Sequence, residues 1–195
     1  MNAQHGSARA RVRDADATHT SAIPIEELTI LPFEGVPASV VQALAEALAA
    51  RGVSPRIDPP VPLPMAAYVP ERGQYRAEAL LGLATDHRGR YVLALTHGDL
   101  FAPGLNFVFG MAEAPGRACV VSAARLLSGA DEPLLRARLV KEAVHELGHT
   151  LGLDHCADPR CVMHFSNCLA DTDRKGDAYC SRCVGRLAQE AGASR

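Results

Sequence analysis

At 195 residues, with 48% apolar and 22% charged side chains, the chain has ordinary globular composition and enough length for a sizeable core. A formal net charge of −2 gives no general pull toward nucleic acid or an anionic membrane surface, and no run approaches the roughly 18–20 apolar residues of a transmembrane helix. Met1 to Ala22 is mostly Ala, Arg, Asp, Ser, Thr and His; without an apolar stretch it is no secretory signal, and a disordered leader is expected there, followed by one domain over 23–195.

Leu28 to Phe33 reads as a first strand, apolar and β-branched, ended by Pro32 and Gly35. Val36 to Arg51 is expected to be helical, because Val40, Val41, Leu44, Ala47 and Leu48 recur at helical spacing before Gly52. Val53 to Ile57 is a second strand. Asp58 to Pro64 carries four prolines in seven residues, cannot pair centrally in a sheet, and reads as a semi-rigid connector. Gln74 to Ala84 is a shorter helix, and Tyr91 to His97 a nearly continuous apolar strand of the buried type. His87 in a turn and His97 at a strand end read as incidental rather than as metal ligands. Leu105 to Gly110 alternates, with Phe107 and Phe109 on one face. It is expected to be a strand whose edge can pair with an extended peptide, or whose aromatics serve only the core, and both can hold because one face can pack while the edge stays free. Ala118 to Ser122 is a fifth strand in which Cys119 reads as a small buried hydrophobe.

A long helix is expected from about Pro133 to Leu151, capped by Ser128 to Glu132. Val140, Val144, Leu147 and Leu151 form its core stripe, and Arg138, Glu142, His145 and His149 a second face. Arg138 and Glu142, four apart, can form an exposed ion pair, or Glu142 can support an imidazole. The helix ends in His145-Glu146-Leu147-Gly148-His149-Thr150-Leu151-Gly152-Leu153-Asp154-His155. His145 and His149 project from one face toward one metal ion, and Glu146 beside them can take a proton without ligating. Gly152 permits the positive φ that stops the helix and returns His155 as a third ligand. Three imidazoles leave a fourth zinc position open, the arrangement of a catalytic site.

Five of the six cysteines follow this motif, and Cys156, Cys161, Cys180 and Cys183 read C-x4-C-x18-C-x2-C. Two close pairs fit a closed, structural four-cysteine zinc, with a redox pair or disulfides as the alternatives. Cys180-x-x-Cys183 opens a last helix reaching about Ala191, and Cys168 is left over. Met163, eight residues after His155, stands where the Met-turn methionine of the metzincin clan would form an apolar floor without binding metal.

The run HELGHTLGLDHC, then Cys161-Val162-Met163 with Phe165-Ser166-Asn167 close behind, then Cys180-x-x-Cys183, resembles the archaemetzincins. Pro103 to Gly110 and the set Arg136, Arg138, Lys141 and Glu142 are similar to that family too. The resemblance implies an α/β (α+β) metzincin-like zincin fold: a mixed five-stranded twisted sheet with an antiparallel edge strand, two main helices on it, and a small C-terminal zinc-stapled subdomain. It implies His145, His149 and His155 as catalytic zinc ligands, Glu146 as general base, and the four paired cysteines as ligands of a second zinc.

The expected activity is hydrolysis of peptide bonds through a zinc-activated water, with two Zn2+ per chain. The expected partner is a peptide or protein substrate, for a cytoplasmic monomer with no nucleic-acid or membrane partner. Where some metzincins carry a supporting tyrosine, this chain has Phe165, and Tyr179 is a candidate substitute. The competing reading is a zinc-organised binding module with an idle or gated peptidase site; retention of Glu146, which ligation alone does not require, favours the enzyme.

Overall fold

The computed structural model describes residues 19–193. β1 (Glu27–Pro32) leads through α1 (Ala38–Ala49) to β2 (Ser54–Ile57). A single 3₁₀ turn (Met65–Ala67), β3 (Tyr68–Val69), β4 (Gln74–Arg76) and α2 (Ala77–Asp86) follow. The chain continues through β5 (Val92–Thr96), β6 (Leu100–Phe101), β7 (Gly110–Ala112) and β8 (Ala118–Ser122). It closes with three helices, α3 (Glu132–Thr150), α4 (Leu169–Arg174) and α5 (Ser181–Ala193). The main sheet has the order β2-β1-β5-β8-β7, parallel except for β7 at the edge. This is the mixed five-stranded sheet with one antiparallel edge strand that the family resemblance implied.

Parallel strands need both faces covered, and every residue of β5 and β8 is buried. Because side chains alternate, Leu93, Leu95, Cys119 and Val121 pack into the core shared with α1 and α3. Val92, Ala94, Ala118 and Val120 pack under Leu80 and Ala84 of α2 on the other face. Cys119 is thus the small buried hydrophobe its place in an apolar run implied. α3 starts where its cap residues put it: the Asp131 carboxylate accepts the Leu134 N–H at 3.0 Å, and Pro133 falls in the first turn. Val140, Val144 and Leu147 are buried against the sheet, as their spacing required.

Three expectations shift. The edge strand is Gly110–Ala112, not Leu105–Gly110. Among residues 105–109 only Val108 forms a bridge, to Leu100, and the Leu105 and Asn106 carbonyls are taken by the Arg72 side chain. Gln74–Arg76 is strand rather than helix, because it pairs with β3 and β6 in a small second sheet, order β3-β4-β6, that the sequence reading did not contain. Strands of two or three residues carry no readable period. Of the leader expected over 1–22, residues 1–18 lie outside the described residues, whereas Thr20 exchanges two backbone hydrogen bonds of 2.9 Å with Tyr179. No helix among the described residues is long and apolar enough to cross a membrane.

Candidate active site and metal centres

α3 ends in a turn that creates the first cluster. Gly152 adopts φ +88°, its N–H bonds the His149 carbonyl, and the Leu153 N–H bonds the Gly148 carbonyl. This is a Schellman closure, and it needs a residue tolerant of positive φ. The chain reverses and returns His155 to the helix. Nε2 of His149 stands 3.1 Å from Nε2 of His145 and 3.3 Å from Nε2 of His155. Nδ1 of His145 lies 2.8 Å from the Val162 carbonyl, and Nδ1 of His149 lies 2.7 Å from the Leu153 carbonyl. A carbonyl only accepts, so these Nδ1 atoms carry the hydrogen and each Nε2 presents a lone pair. Burial pushes all three imidazoles below their usual range, with Lys175 adding to the effect at His145. Lone pairs this close repel unless a cation lies between them. Ligand atoms about 2.05 Å from a tetrahedral zinc stand about 3.3 Å apart, so the observed separations fit that ion.

The second cluster follows directly. Cys156, Cys161, Cys180 and Cys183 are all buried with free thiols, and their sulfur atoms lie within 4.8 Å of one another. Sγ separations are 3.7 Å for Cys156–Cys180 and 3.8 Å for Cys161–Cys183. These are far beyond a disulfide bond and match the edge of about 3.8 Å set by four zinc–sulfur bonds of about 2.3 Å. Burial pushes Cys161 up to about 11 and Cys183 higher still. At Cys156 burial also raises the thiol, but hydrogen bonds from the Asp158 backbone and from the Arg182, Cys180 and Cys183 side chains together outweigh it and bring the group below its usual range. For Cys161 and Cys183 a cation among the sulfurs would offset that burial by stabilising the thiolates.

Two adjacent pairs join the clusters. His155 and Cys156 each serve one of them, while Cys161 contributes a sulfur and Val162, next in the chain, supplies the carbonyl that orients His145. Met163 is buried beneath the helix, where a Cβ added to Gly148 would stand 2.4 Å from its Sδ. Glycine inside the histidine motif is therefore required for the methionine's close approach. Glu146 is buried beside the histidines; burial, then the negative Glu142, raise its carboxyl to about 8, against the opposing pull of Lys175.

The flanking polar residues resolve differently from the sequence expectation. Arg138 does not pair with Glu142. It is buried and makes two 2.7 Å bonds to Asp173, with further bonds to the Leu126 and Ser128 carbonyls. Glu142 Oε1 accepts from Thr172 Oγ1 at 2.9 Å and lies 3.1 Å from Nζ of Lys175, a fully buried ammonium that nothing in the sequence pattern marked. Tyr179 is not an oxyanion donor for the cleft: its hydroxyl is buried and donates to the Val144 carbonyl at 2.8 Å. Cys168 is exposed and outside the sulfur cluster. His87 pairs with Asp58, and His97 stands against Gly35; neither joins a metal-binding group among the described residues.

The histidines and Glu146 floor a cleft of about 460 Å³. One wall runs from Leu105 to Ala112, and Phe165, Ser166 and Asn167 form the other. Phe165 sets its ring edge-on to His155 at 4.8 Å between centroids.

A helix that aims imidazoles and a buried carboxylate into a cleft beneath an antiparallel edge strand defines a zinc metallopeptidase. Residues 60–189 match the model of Peptidase family M54. The chain is 56% identical to the archaemetzincin of Methanopyrus kandleri over 127 residues, covering 64% of this chain and 72% of that protein. It is 35% identical to the archaemetzincin of Pyrococcus furiosus over 180 residues, covering 85% and 94%. The crystal structure of the Methanopyrus kandleri archaemetzincin superimposes with a TM-score of 0.79 at 43% identity, covering 86% of this chain and 96% of that one. That of the Archaeoglobus fulgidus archaemetzincin, complexed with malonate, gives 0.76 at 38% identity, covering 82% and 99%. The chain belongs to Peptidase family M54, the archaemetzincins.

Proposed function

We propose that the protein hydrolyses peptide bonds in the cleft, with His145, His149 and His155 holding one zinc ion, Glu146 acting as general base, and the four cysteines holding a second, structural zinc. The observation that carries this reading is the convergence of three Nε2 atoms beside a buried carboxylate at the cleft floor. When bound, zinc at the imidazoles would supply a Lewis acid that polarises the scissile carbonyl and lowers the pKa of water toward ~7. Glu146 takes the proton of the attacking water and passes it to the leaving amine. The Val162 and Leu153 carbonyls hold the rings of His145 and His149 in register, and Met163 lays an apolar floor under them. Phe165 offers no hydroxyl, and Tyr179 faces away.

Residues 23–195 act as one peptidase domain. The enzyme acts as a monomer, and free thiols throughout the sulfur cluster suit the reducing cytoplasm. The test is Glu146→Gln assayed on a quenched fluorescent peptide library. Zinc content should match the wild type while hydrolysis falls at least ~100-fold, the contribution of a general base. Equal cleavage by both proteins would remove Glu146 from the mechanism, and a library left intact by the wild type would favour the idle binding module.

A further inference from the structure

The cleft wall opposite Phe165 begins with Leu105, Asn106 and Phe107, and no regular strand holds these residues. Their backbone anchor is the Leu105 N–H bond to Ala102; just beyond them the Val108 N–H bonds Leu100 and the Phe109 carbonyl accepts from the Ser122 N–H. Side chains from outside the cleft supply the rest, and they converge on one atom. The Asn106 carbonyl oxygen accepts from Nε2 of Gln74 at 3.0 Å and from Nη2 of Arg72 at 2.9 Å, which occupies both lone pairs. Gln74 is 5% exposed and fixed at both ends of its amide. Oε1 accepts from Nε of Arg72 at 2.9 Å, and Nε2 also donates to Asp99 at 3.0 Å. The two partners leave only one amide orientation, since a guanidinium cannot accept and a carboxylate cannot donate.

Asp99 extends the brace. Its carboxylate receives two 2.8 Å bonds from Arg125, whose guanidinium lies 4.1 Å over the ring of Phe107. Phe107 in turn meets Phe109 edge-on at 5.2 Å. Gln74 and Arg72 thus fix the backbone of the wall, and Asp99 and Arg125 fix the aromatic face it presents. None of these four side chains lines the cleft itself. A wall held by side chains can be loosened without touching the histidines or the sheet ladder.

We propose that Gln74, with Arg72, is a positioning residue for the peptide substrate: from the small second sheet it holds the Leu105–Phe107 wall in the shape that receives the substrate's side chains. This rests on the peptidase reading above and adds a determinant of substrate binding remote from the metal. Gln74→Leu keeps the volume and removes the amide. The loss falls on substrate binding, so KM rises with little change in kcat.

The test uses the full-length zinc-loaded protein and two probes, acetohydroxamate, which reaches only the metal, and a leucine-containing tripeptide hydroxamate, which also spans the wall. In Gln74→Leu the tripeptide probe is expected to bind about 10-fold more weakly, the scale of roughly 1.4 kcal/mol. Acetohydroxamate affinity and zinc content should stay within about 2-fold. Amides 105–109 should exchange hydrogen faster. Should Gln74→Leu fail to fold, Arg72→Ala, on an exposed side chain, carries the test with an expected loss of at least about 3-fold, since it removes the guanidinium's bonds to the Leu105 and Asn106 carbonyls and to Oε1 of Gln74 while the Gln74 bond to Asn106 remains. Unchanged tripeptide affinity, or equal weakening of both probes, would overturn the proposal. So would a wild type that binds the tripeptide no better than acetohydroxamate. If neither probe binds the wild type, the metal-centre reading falls first and this inference with it.

Discussion

The two clusters share a loop and differ in almost everything else. The histidines stand at a cleft floor, with His155 exposed, and offer three ligand atoms. The cysteines offer four, all from buried residues, and close on themselves. Three ligands at an open face leave room for a substrate atom, whereas four sulfurs in a dry pocket leave none. Their spacing along the chain teaches the more general point. His155 is followed at once by Cys156, and Cys161 by Val162, whose carbonyl orients His145. The cysteine cluster therefore stands within a single peptide unit of the histidine cluster, a placement through which the rigidity of a bound metal would reach the imidazoles.

Three changes test that division of labour. The largest effect is expected from Cys180→Ser, which removes one of four sulfurs. Where metal analysis of the wild type is expected to give two zinc ions per chain, the variant should give fewer, the cysteine-bound ion should go first, and the histidine site should lose affinity by about 10–100-fold, the usual cost of disturbing what orients a ligand. A Cys180→Ser protein that kept a fully occupied, well-ordered histidine zinc would show that the clusters are independent. Next comes stepwise chelation of the wild type. The histidine metal should leave first, with all hydrolysis, while the unfolding transition keeps its cooperativity until the buried cysteine metal follows. One zinc per chain at the outset, or loss of both ions in one step, would sink the two-site account. The smallest effect belongs to Phe165→Ala. It removes the edge contact with His155, worth about 0.5–1.5 kcal/mol, so histidine-site zinc affinity should weaken by no more than about 10-fold. Competition with a chelator measures this, and any change at the cysteine site would contradict the comparison.

The histidine motif was legible in the sequence because its logic is local. Spacing of three or four along a helix fixes which side chains share a face, and Gly152 marks where the helix stops whatever surrounds it. The four paired cysteines were legible for the same reason, and the apolar runs of β1, β5 and β8 marked them as strands, while their arrangement in one mixed sheet came from the family resemblance. Leu105–Phe109 misled, because alternation predicts a face and not a partner. Whether its carbonyls join a ladder or a guanidinium depends on Arg72, more than thirty residues away. Arg138 illustrates the same limit. Its helical neighbour Glu142 was the partner that spacing offered, yet Asp173 on α4 takes it, and Lys175 takes Glu142.

The sequence by itself thus determined the two groups of candidate ligands and the helix that carries the first, since each rests on periodicity or on residue chemistry at short range, while the class of the fold came from the family resemblance. Only the tertiary structure decided which buried charges pair, where the edge strand begins, that Tyr179 turns away from the cleft, and that a second small sheet braces the cleft wall. Those outcomes depend on which polar groups meet once water is excluded. A desolvated donor or acceptor takes the partner that packing places within about 3 Å, wherever in the chain it lies.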